Sequence, residues 1–304
     1  MRVLVLGGRG FLGRHLVAAL SERGHEAIVG TRQATLPLEA EADLDAPESI
    51  DRALRELRPG AVVNCASYGL DPSARDPVEA LRTNVLGAAA ALRAAERFGV
   101  ARFVHFGTCF EFGSHELPVT ESTPLRPIGI YATSKAAASL VLTDLARESC
   151  VESVLLRPFV MVGPGERPSK LVPQILATAS TREPLLLTEG REVRDYVDVQ
   201  FVAAAAAALI SLDAGAFPRG ESFSLCSGSP RTVRQFAEEV AESLGITELL
   251  RFGARPSRHD VPASIVGCPD RWRDFAKRTS PTIPVSARAL PETIKDLVAG
   301  ARAP

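Results

Sequence analysis

Tyr131 and Lys135 stand four residues apart in the stretch "GIYATSK", where a helical pattern begins. Residues at positions i and i+4 share one face of a helix, so the two side chains can converge on one point. A neighbouring ammonium group favours the phenolate and lowers the pKa of a phenol. The pair can therefore donate a proton to a carbonyl oxygen as hydride arrives at the carbon, or accept one in the reverse reaction. The alternative is an aromatic anchor at a helix start, since this spacing alone is common by chance.

A second chemical signal is the glycine turn in "VLVLGGRGFLGRHL", where Gly7, Gly10 and Gly13 follow one another at three-residue spacing. A tight turn needs residues without a Cβ, and a pyrophosphate on a helix N-terminus needs close approach of the backbone. The turn follows an apolar strand and opens a helix, which favours dinucleotide binding over a merely tight connection. Phe11 and Leu12 lie within this turn, and we predict that they contact the cofactor together with the three glycines.

The second strand-like run ends "IVGTRQ" and bears on the choice of cofactor. An acidic residue at this place usually accepts a hydrogen bond from the ribose 2′-hydroxyl of NAD. Thr31 occupies the place here, with Arg32 beside it and Arg9 in the glycine turn. A guanidinium pairs with a 2′-phosphate in bidentate fashion, so these residues predict NADP(H) rather than NAD(H). Solvated surface charges are the alternative interpretation of the two arginines.

The elements that position these residues alternate between short β-branched runs and longer helical patterns. Such alternation predicts an α/β fold, a doubly wound parallel sheet with its ligand crevice at the carboxyl ends of the strands. After about Val160 prolines and loops become more frequent. We therefore expect a dinucleotide-binding domain over 1–160 and a mainly substrate-binding lobe over 161–304, with part of 194–226 returning to the first domain.

Composition excludes several other classes of function. The 304 residues carry a formal net charge of −1 and no basic run, so nucleic acid is not an expected partner. Five dispersed cysteines predict a reducing compartment, and no cysteine or histidine spacing predicts a metal site. The longest apolar run, Phe201–Ile210, is half the length that spans a bilayer. We expect a soluble, cytoplasmic protein without a membrane segment.

The glycine spacing GxxGxxG, and "GGRGFLG" in particular, resembles the extended branch of the short-chain dehydrogenase/reductase superfamily, which acts largely on nucleotide sugars. The resemblance covers nearly the whole chain, because "LRPFVMVGPG" and "VRDYVDVQFVAAA" are similar to later motifs of that branch. It implies a Rossmann-like fold, a nicotinamide cofactor and a nucleotide-sugar substrate.

The resemblance also implies a third member of the catalytic group. In "VHFGTCFEFG" a hydroxyl residue precedes the pair Phe112–Gly113 by four residues, which identifies Thr108. Thr108 lies 23 residues before Tyr131, as in the family. Its implied role is a hydrogen bond to the substrate oxygen, which fixes that oxygen relative to Tyr131. A threonine that simply favours a strand is the alternative.

Further cofactor residues follow from the resemblance alone. Asp43 and Leu44, in "EADLDAP", match the pair that meets the adenine, with a surface loop as the alternative. Ala66, in "NCAS", matches the stretch that runs under the cofactor. Asn84 lies within a helical pattern, and in the family an asparagine here stabilises a helix distortion near the site.

On the substrate side, Arg194 matches the arginine that holds the substrate diphosphate, a charge-assisted contact suited to guanidinium. Arg258 matches a second diphosphate ligand, although Arg255 competes for that assignment. Glu111 is expected to line the sugar pocket. The 4,6-dehydratases of the family carry Asp-Glu directly after the catalytic threonine, whereas Cys109 and Phe110 follow it here, so elimination lacks its acid and base.

These residues together predict an NADPH-dependent reductase of a nucleotide-bound 4-keto-6-deoxy sugar. The first alternative is a nucleotide-sugar epimerase that keeps NAD bound and returns the hydride to the other face. A non-catalytic NADP(H)-binding sensor on the same fold is the second. Relatives often form homodimers through the helices that carry Asn84 and Tyr131, so a second copy of the chain is a possible partner.

Overall fold

The computed structural model describes residues 1–69, 76–213, 215–257 and 261–302, with side chains described as far as residue 299. Arg258, the predicted second diphosphate ligand, lies outside the described residues. The strands are β1 (Arg2–Leu6), β2 (Glu26–Thr31), β3 (Glu39–Glu41), β4 (Ala61–Asn64), β5 (Arg102–Phe106), β6 (Glu152–Pro158), β7 (Val160–Val162), β8 (Leu185–Leu186), β9 (Val193–Asp198), β10 (Ser222–Leu225), β11 (Pro230–Thr232), β12 (Leu250–Arg251) and β13 (Ser264–Ile265).

Helices alternate with these strands through the first two thirds of the chain. They are α1 (Phe11–Glu22), α2 (Pro47–Leu57), α3 (Pro77–Leu81), α4 (Ala88–Arg97), α5 (Ile130–Glu148), α6 (Leu171–Thr181), α7 (Val199–Ile210), α8 (Val233–Leu244), α9 (Asp270–Thr279) and α10 (Leu290–Arg302). A π-helix, Arg82–Gly87, joins α3 to α4, and a short 3₁₀ turn, Cys109–Glu111, follows β5.

The main sheet has seven parallel strands in the order β10-β6-β5-β4-β1-β2-β3. From β1 the chain moves outward to β2 and β3, then crosses over and continues in the other direction from β4. The strand order therefore reverses between β1 and β4, and ligands of doubly wound sheets bind at such a point. The predicted doubly wound α/β fold is confirmed.

Helices cover both faces of this sheet, which explains why its central strands are apolar throughout. On one face α1 packs against α7, the alanine-rich helix, and both contribute to the larger hydrophobic cluster. On the other face α2 and α4 share a second cluster with the strands. The small side chains of Ala205–Ala208 are fully buried, which lets α7 approach the sheet and α1 closely.

A second, smaller sheet lies in the later part of the chain, where β9 pairs with β7, β11 and β13. Helices α6, α8 and α10 cover it and form the third hydrophobic cluster. β9 leads straight into α7, whose N-terminus is capped by Asp198 through a 2.7 Å hydrogen bond from Gln200 N. The chain thus passes from the smaller sheet back to the main one, where β10 adds an edge strand beside β6.

Among the described helices, none combines the length and the hydropathy needed to cross a bilayer.

Candidate active site

The glycine turn between β1 and α1 packs directly against the end of β4. Gly7 has a φ of +78°, and a Cβ on it would lie 2.8 Å from the Cα of Ala66. A Cβ on Gly13 would lie 2.3 Å from the carbonyl oxygen of Gly7. Both positions therefore require glycine, because any side chain would meet rigid backbone. Ala66 therefore packs closely against the turn, and its role as a cofactor contact stays a prediction.

The N-terminus of α1 fits an anion. Its N-cap is Gly10, which provides no side-chain cap, and the first turn carries no acidic residue. The leading backbone N–H groups of a helix, here those of Phe11 and Leu12, have no partner within the helix and carry the positive end of its dipole. A pyrophosphate fits this position chemically.

Arg9 leaves the same turn and forms a bidentate ion pair with Glu39, the first residue of β3. Arg9 Nε lies 2.7 Å from Glu39 Oε1, and Arg9 Nη2 lies 2.6 Å from Glu39 Oε2. Glu39 Oε2 also accepts hydrogen bonds from Thr35 N at 2.8 Å and Leu36 N at 3.0 Å. Hydrogen bonding by Arg9 lowers the pKa of Glu39 to about 2. Sequence reasoning did not single out Glu39, since its contact with Arg9 spans 30 positions.

The end of β2 offers a different environment. Thr31 is half-buried there, and Arg32 is exposed. Within the described part of the chain, no ion-pair partner or hydrogen-bond acceptor faces the Arg32 guanidinium. This free cation lies at the position where the sequence predicts a phosphate contact.

The segment after β3 carries the predicted adenine residues. Leu44 is buried and Asp43 is half-buried. A Cβ on Gly87 would lie 2.5 Å from the carbonyl oxygen of Leu44, so the π-helix packs on this segment through a glycine. Asp43 Oδ1 accepts a hydrogen bond from Asp45 N at 3.1 Å. The segment follows the carboxyl end of a sheet strand, the edge at which the crevice lies.

Asn84 lies in the π-helix, so the helix distortion that the resemblance implies is present. Its Oδ1 accepts from Tyr68 N at 2.8 Å, and its Nδ2 donates to Tyr68 O at 2.9 Å and to Ser134 Oγ at 2.8 Å. π-helical turns often occur at functional sites. Through these hydrogen bonds Asn84 connects the loop after β4 to α5, the helix that carries Tyr131.

Tyr131 and Thr108 converge in the structure. The side chains of Thr108 and Ser67 favour ionisation of the nearby Tyr131 hydroxyl, but burial outweighs them and raises the pKa of Tyr131. This direction is opposite to the one expected from the neighbouring ammonium, because burial penalises the charged phenolate more than the neighbouring hydroxyl groups favour it. Tyr131 therefore keeps its proton at neutral pH, as a proton donor must. Ser67 follows β4 and was not singled out from the sequence.

Lys135, one turn further along α5, is buried. Its Nζ donates to the carbonyl oxygen of Phe106 at 2.5 Å and lies 3.4 Å from Nε2 of His105. Burial lowers the pKa of Lys135 to about 8, while the negative charge of Glu111 acts in the opposite direction. Lys135 can therefore exchange a proton near neutral pH, which an ordinary lysine cannot.

Glu111 does not line a pocket, which corrects the role expected from the sequence. The residue is fully buried. Its Oε1 accepts from Thr108 N at 2.8 Å, and its Oε2 accepts from Arg157 Nε at 2.8 Å. Both oxygens are thus committed to the protein interior. Glu111 fixes the turn that presents Thr108, and it is Arg157 on β6, not the sugar, that neutralises its charge.

Cys109 and Phe110 form the start of that turn. Burial raises the pKa of the fully buried Cys109 to about 12, so the thiol stays protonated. Neither side chain can act as the acid or base of an elimination at neutral pH. Across the described residues, no cluster of histidine, cysteine and carboxylate side chains could hold a metal ion.

Arg194 is 7% exposed on β9 and lies near Cys109. Its Nη1 donates to the carbonyl oxygen of Val193 at 2.9 Å, and no carboxylate among the described residues pairs with it. Burial lowers its pKa. A buried guanidinium without a counter-ion is costly, so the geometry fits an anionic ligand such as a diphosphate.

The neighbouring Asp195 holds this strand in place. Its oxygens accept from Ser227 N at 2.9 Å, Gly228 N at 2.9 Å and Gly267 N at 3.2 Å. Successive residues of a strand point to opposite faces. Asp195 thus fixes β9 from one side while Arg194 projects from the other. The partners lie 32 to 72 positions away, so sequence reasoning did not find this role.

Comparisons with known proteins agree with this geometry. The model of the NAD dependent epimerase/dehydratase family matches residues 3–225. The chain is 30% identical over 303 residues to UDP-glucose 4-epimerase of Azospirillum brasilense, covering 90% of this chain and 85% of that one. It is 30% identical over 253 residues to GDP-6-deoxy-D-mannose reductase of Pseudomonas aeruginosa, covering 79% of each. The solved structure of Thermus thermophilus UDP-glucose 4-epimerase with NAD superposes with a TM-score of 0.84 at 30% identity, covering 99% of each chain.

Proposed function

Because this chain belongs to the NAD dependent epimerase/dehydratase family, we propose that it is an NADPH-dependent reductase of a nucleotide-bound 4-keto-6-deoxy sugar. Bound at the glycine turn and Arg32, NADPH would supply the hydride that reduces the C4 carbonyl carbon. Tyr131 donates its proton to the carbonyl oxygen, and Thr108 hydrogen-bonds that oxygen and orients it. Lys135 lies on the same helix and exchanges a proton near neutral pH. The products are the nucleotide-bound 6-deoxy sugar, with a hydroxyl group at C4, and NADP⁺.

The observation that carries this proposal is the free guanidinium of Arg32 at the end of β2. Thr31 replaces the acid that would accept from a ribose 2′-hydroxyl, and Arg32 meets no carboxylate in the described part of the chain. A 2′-phosphate would supply the missing counter-charge. NADPH is consumed and released at each turnover of a reductase, whereas an epimerase regenerates its NAD in place. Preference for NADP(H) therefore favours the reductase.

The rest of the site supports a nucleotide sugar as substrate. Arg194 is a buried cation without a carboxylate partner among the described residues, which suits the diphosphate of a sugar nucleotide. Cys109 and Phe110 provide no acid or base next to Thr108, which argues against a 4,6-dehydratase. The similarity to a GDP-6-deoxy-D-mannose reductase favours reduction at a 6-deoxy sugar.

A nucleotide-sugar epimerase is the second candidate, and the Arg9–Glu39 pair favours it. Glu39 neutralises one of the two arginines that would hold a 2′-phosphate, and it places a carboxylate at the same edge of the sheet. The similarity to UDP-glucose 4-epimerases points the same way. In that reaction Tyr131 would first accept the proton of the 4-hydroxyl and then return it.

One experiment separates the two candidates. The purified protein is incubated with NADPH and a panel of nucleotide 4-keto-6-deoxy sugars, and loss of nicotinamide absorbance is followed. In parallel it is incubated with NAD and UDP-glucose, and UDP-galactose is measured by chromatography. A reductase oxidises NADPH in proportion to the ketosugar added and leaves UDP-glucose unchanged. Interconversion of UDP-glucose and UDP-galactose without net change in the cofactor would overturn the reductase and establish the epimerase.

A second copy of the chain is the partner we propose for the helical surface of α3, the π-helix Arg82–Gly87 and α5. Val78, Leu86 and Leu140 on this surface are 60%, 67% and 63% exposed. Clusters of exposed apolar side chains mark interaction surfaces. We expect a dimer in sedimentation equilibrium, and Leu86→Lys together with Leu140→Lys should shift it toward the monomer. A wild-type monomer at micromolar concentration would contradict this assignment.

A further inference from the structure

His105 is a buried histidine that the proposed reaction does not use. It lies on β5 with 3% of its surface exposed, in register with Asn64 on the neighbouring strand β4. Its Nδ1 lies 3.2 Å from Asn64 Nδ2, and its Nε2 lies 3.4 Å from Lys135 Nζ. The ring therefore joins the end of β4 to the lysine of the candidate active site.

The polarity of this contact can be worked out from the backbone. Ala66 N donates to Asn64 Oδ1 at 3.1 Å, and a backbone N–H can only donate. The amide oxygen of Asn64 therefore faces Ala66, and its NH₂ group faces His105 Nδ1. An amide NH₂ also only donates, so Nδ1 must accept and carries no proton. In a neutral imidazole the proton then resides on Nε2, the atom that faces Lys135.

An N–H directed at Lys135 Nζ distinguishes the two charge states of the lysine. The ammonium form has three hydrogen-bond donors and no acceptor. Its N–H groups and the N–H of His105 Nε2 would therefore face each other with no acceptor between them. The neutral amine has a lone pair that can accept from His105 Nε2 while an amine N–H still donates to the carbonyl oxygen of Phe106. We propose that Asn64 and His105 are positioning residues that fix the Nε2–H tautomer and thereby favour the neutral amine of Lys135.

The charged and titratable groups around the ring keep His105 neutral. Burial lowers the pKa of His105 well below its usual range, and the positive charges of Lys135 on α5 and Arg157 on β6 lower it further. On the side of β4, burial raises the pKa of Cys65 to about 12, so this group is an uncharged thiol. Glu111 is the acidic group that acts on Lys135, and it is paired with Arg157.

This inference rests on the proposed function only for its consequence in catalysis. If Lys135 stands beside the proton donor Tyr131, its change between amine and ammonium sets the pH range of turnover. The tautomer of His105 and the charge of Lys135 are properties of the folded chain and can be measured without substrate.

The test is nuclear magnetic resonance of the full chain labelled at histidine and lysine, which is tractable with five histidines and four lysines. Long-range proton–nitrogen spectra distinguish the tautomers, and His105→Phe assigns the signal of His105. We expect the Nε2–H tautomer, neutral from pH 8 down to pH 5. The Cε and Nζ shifts of Lys135, assigned with Lys135→Met, should titrate at least one pH unit below the other lysines, a factor of about ten in protonation. An Nδ1–H tautomer, or a Lys135 that titrates with the other lysines, would overturn the proposal.

Two variants of Asn64 test the polarity itself. Asn64→Asp presents an oxygen to Nδ1, so it should move the proton to Nδ1 and turn the lone pair of Nε2 toward Lys135. Asn64→Leu removes the donor and leaves both tautomers open. The pKa of Lys135 should be lowest in the wild type, higher in Asn64→Leu and highest in Asn64→Asp. The rise from the wild type to Asn64→Asp should be about one unit or more. Retention of the Nε2–H tautomer in Asn64→Asp would overturn the role of Asn64. The wild-type spectra decide the question if a variant fails to fold.

The enzyme reaction supplies an independent readout. If the proposed function holds, the pH profile of kcat should shift to higher pH in Asn64→Asp, while the KM of the sugar nucleotide changes little. Ser153→Ala, which removes a buried hydroxyl without a hydrogen-bond partner in the structure, is the control and should leave the profile in place. An unchanged profile in an Asn64→Asp protein whose Lys135 pKa has risen would refute the catalytic consequence. Absence of turnover by the wild type on any ketosugar would instead contradict the proposed function and leave the tautomer result intact.

Discussion

The carboxylate of Glu111 lies 2.8 Å from Nε of Arg157, and both residues are buried where β5 and β6 meet the turn of Thr108. The second oxygen of Glu111 accepts from the backbone N–H of Thr108. One buried ion pair therefore fixes the backbone at the proposed substrate-orienting residue. This relationship gives Glu111 an internal role and makes it a determinant of folding.

Removal of either partner of this pair should destabilise the fold. Arg157→Met leaves the carboxylate of Glu111 buried without its counter-charge, and loss of one partner of a buried pair costs about 3–5 kcal/mol. The double variant Glu111→Met with Arg157→Met should recover part of that loss, since it leaves no unpaired charge. Urea unfolding of the single and double variants measures both effects. A loss below about 1 kcal/mol in Arg157→Met, the range of an exposed pair, would contradict the buried role.

Tyr131→Phe should remove the proton donor and preserve the fold. The half-buried ring keeps its packing, and loss of a hydroxyl hydrogen bond costs only about 1 kcal/mol of stability. The rate of ketosugar reduction should fall by roughly 10²–10⁴-fold, the usual contribution of a placed general acid. Turnover, melting temperature and NADPH affinity are measured on the same preparation, and NADPH affinity should be retained. Near-normal turnover would refute the proton-donor role.

Arg32→Ala should remove most of the preference for NADPH. A bidentate charge-assisted contact contributes about 1.5–3 kcal/mol, or about one to two powers of ten in affinity. We therefore expect the wild type to bind NADPH at least about tenfold more tightly than NADH, and Arg32→Ala to bind the two nearly equally. Fluorescence titration of both cofactors measures the ratio. Equal affinities in the wild type would exclude a 2′-phosphate site.

Glu39→Gln should act in the opposite direction on the same ratio. It removes the negative charge that pairs with Arg9. The Arg9 guanidinium can then bind the 2′-phosphate without first breaking an ion pair with residue 39. We expect NADPH affinity to rise a few-fold, the size of an exposed ion pair, with NADH affinity unchanged. A fall in NADPH affinity would indicate that Glu39 is needed to hold Arg9 in place.

Arg194→Ala should weaken binding of the sugar nucleotide and leave NADPH affinity nearly unchanged. Calorimetric titration with UDP, dTDP and GDP measures the diphosphate contact without any sugar. Arg278→Ala, which removes an exposed arginine from the end of α9, is the matched control and should bind like the wild type. Remote binding energy also orients the reacting carbon, so a free ketosugar should be a very poor substrate. Good turnover of the free sugar would contradict a diphosphate site.

The buried His105 should make stability depend on pH between about 6.5 and 4.5. Its pKa is lowered in the folded protein, so below pH 6.5 the unfolded chain binds a proton that the folded protein does not, and stability falls as the pH falls. One such proton corresponds to about 1.4 kcal/mol per pH unit. Lys135, with a pKa of about 8, is protonated in both states here and contributes no slope.

Comparison with His105→Phe isolates this contribution. Burial raises the pKa of Glu166 to about 7, which opposes the slope of His105, so only the difference between the two proteins is informative. Urea unfolding at pH 6.5 and at pH 4.5 gives the change in the free energy of unfolding for each protein. The packing that His105→Phe loses is the same at both pH values, so it cancels when the two values are subtracted. The wild type should lose more stability than the variant on acidification. Equal losses would show that His105 becomes protonated in the folded protein.

The sheet, the glycine turn and the shared helix of Tyr131 and Lys135 could all be predicted from the order of residues along the chain. These features are local or periodic: alternation of strand and helix patterns sets the parallel order, and a three-residue glycine spacing sets the turn. The four-residue spacing of Tyr131 and Lys135 puts both side chains on one face of a helix, whereas the family resemblance, not the spacing, pointed to Thr108 as their partner. Residues close in sequence keep their geometric relation whatever the rest of the chain does.

The charge and the partners of those residues depend on contacts between distant segments. Glu39 forms an ion pair with Arg9, and Arg157 forms one with Glu111. Asn64 orients His105 toward Lys135. Each of these contacts joins residues that are 30 or more positions apart in the sequence. The raised pKa of Tyr131 and the lowered pKa of Lys135 follow from burial, which a residue acquires only when such segments pack over it. A spacing motif therefore specifies which groups meet, while the low-dielectric interior formed by the whole fold specifies which of them carry charge.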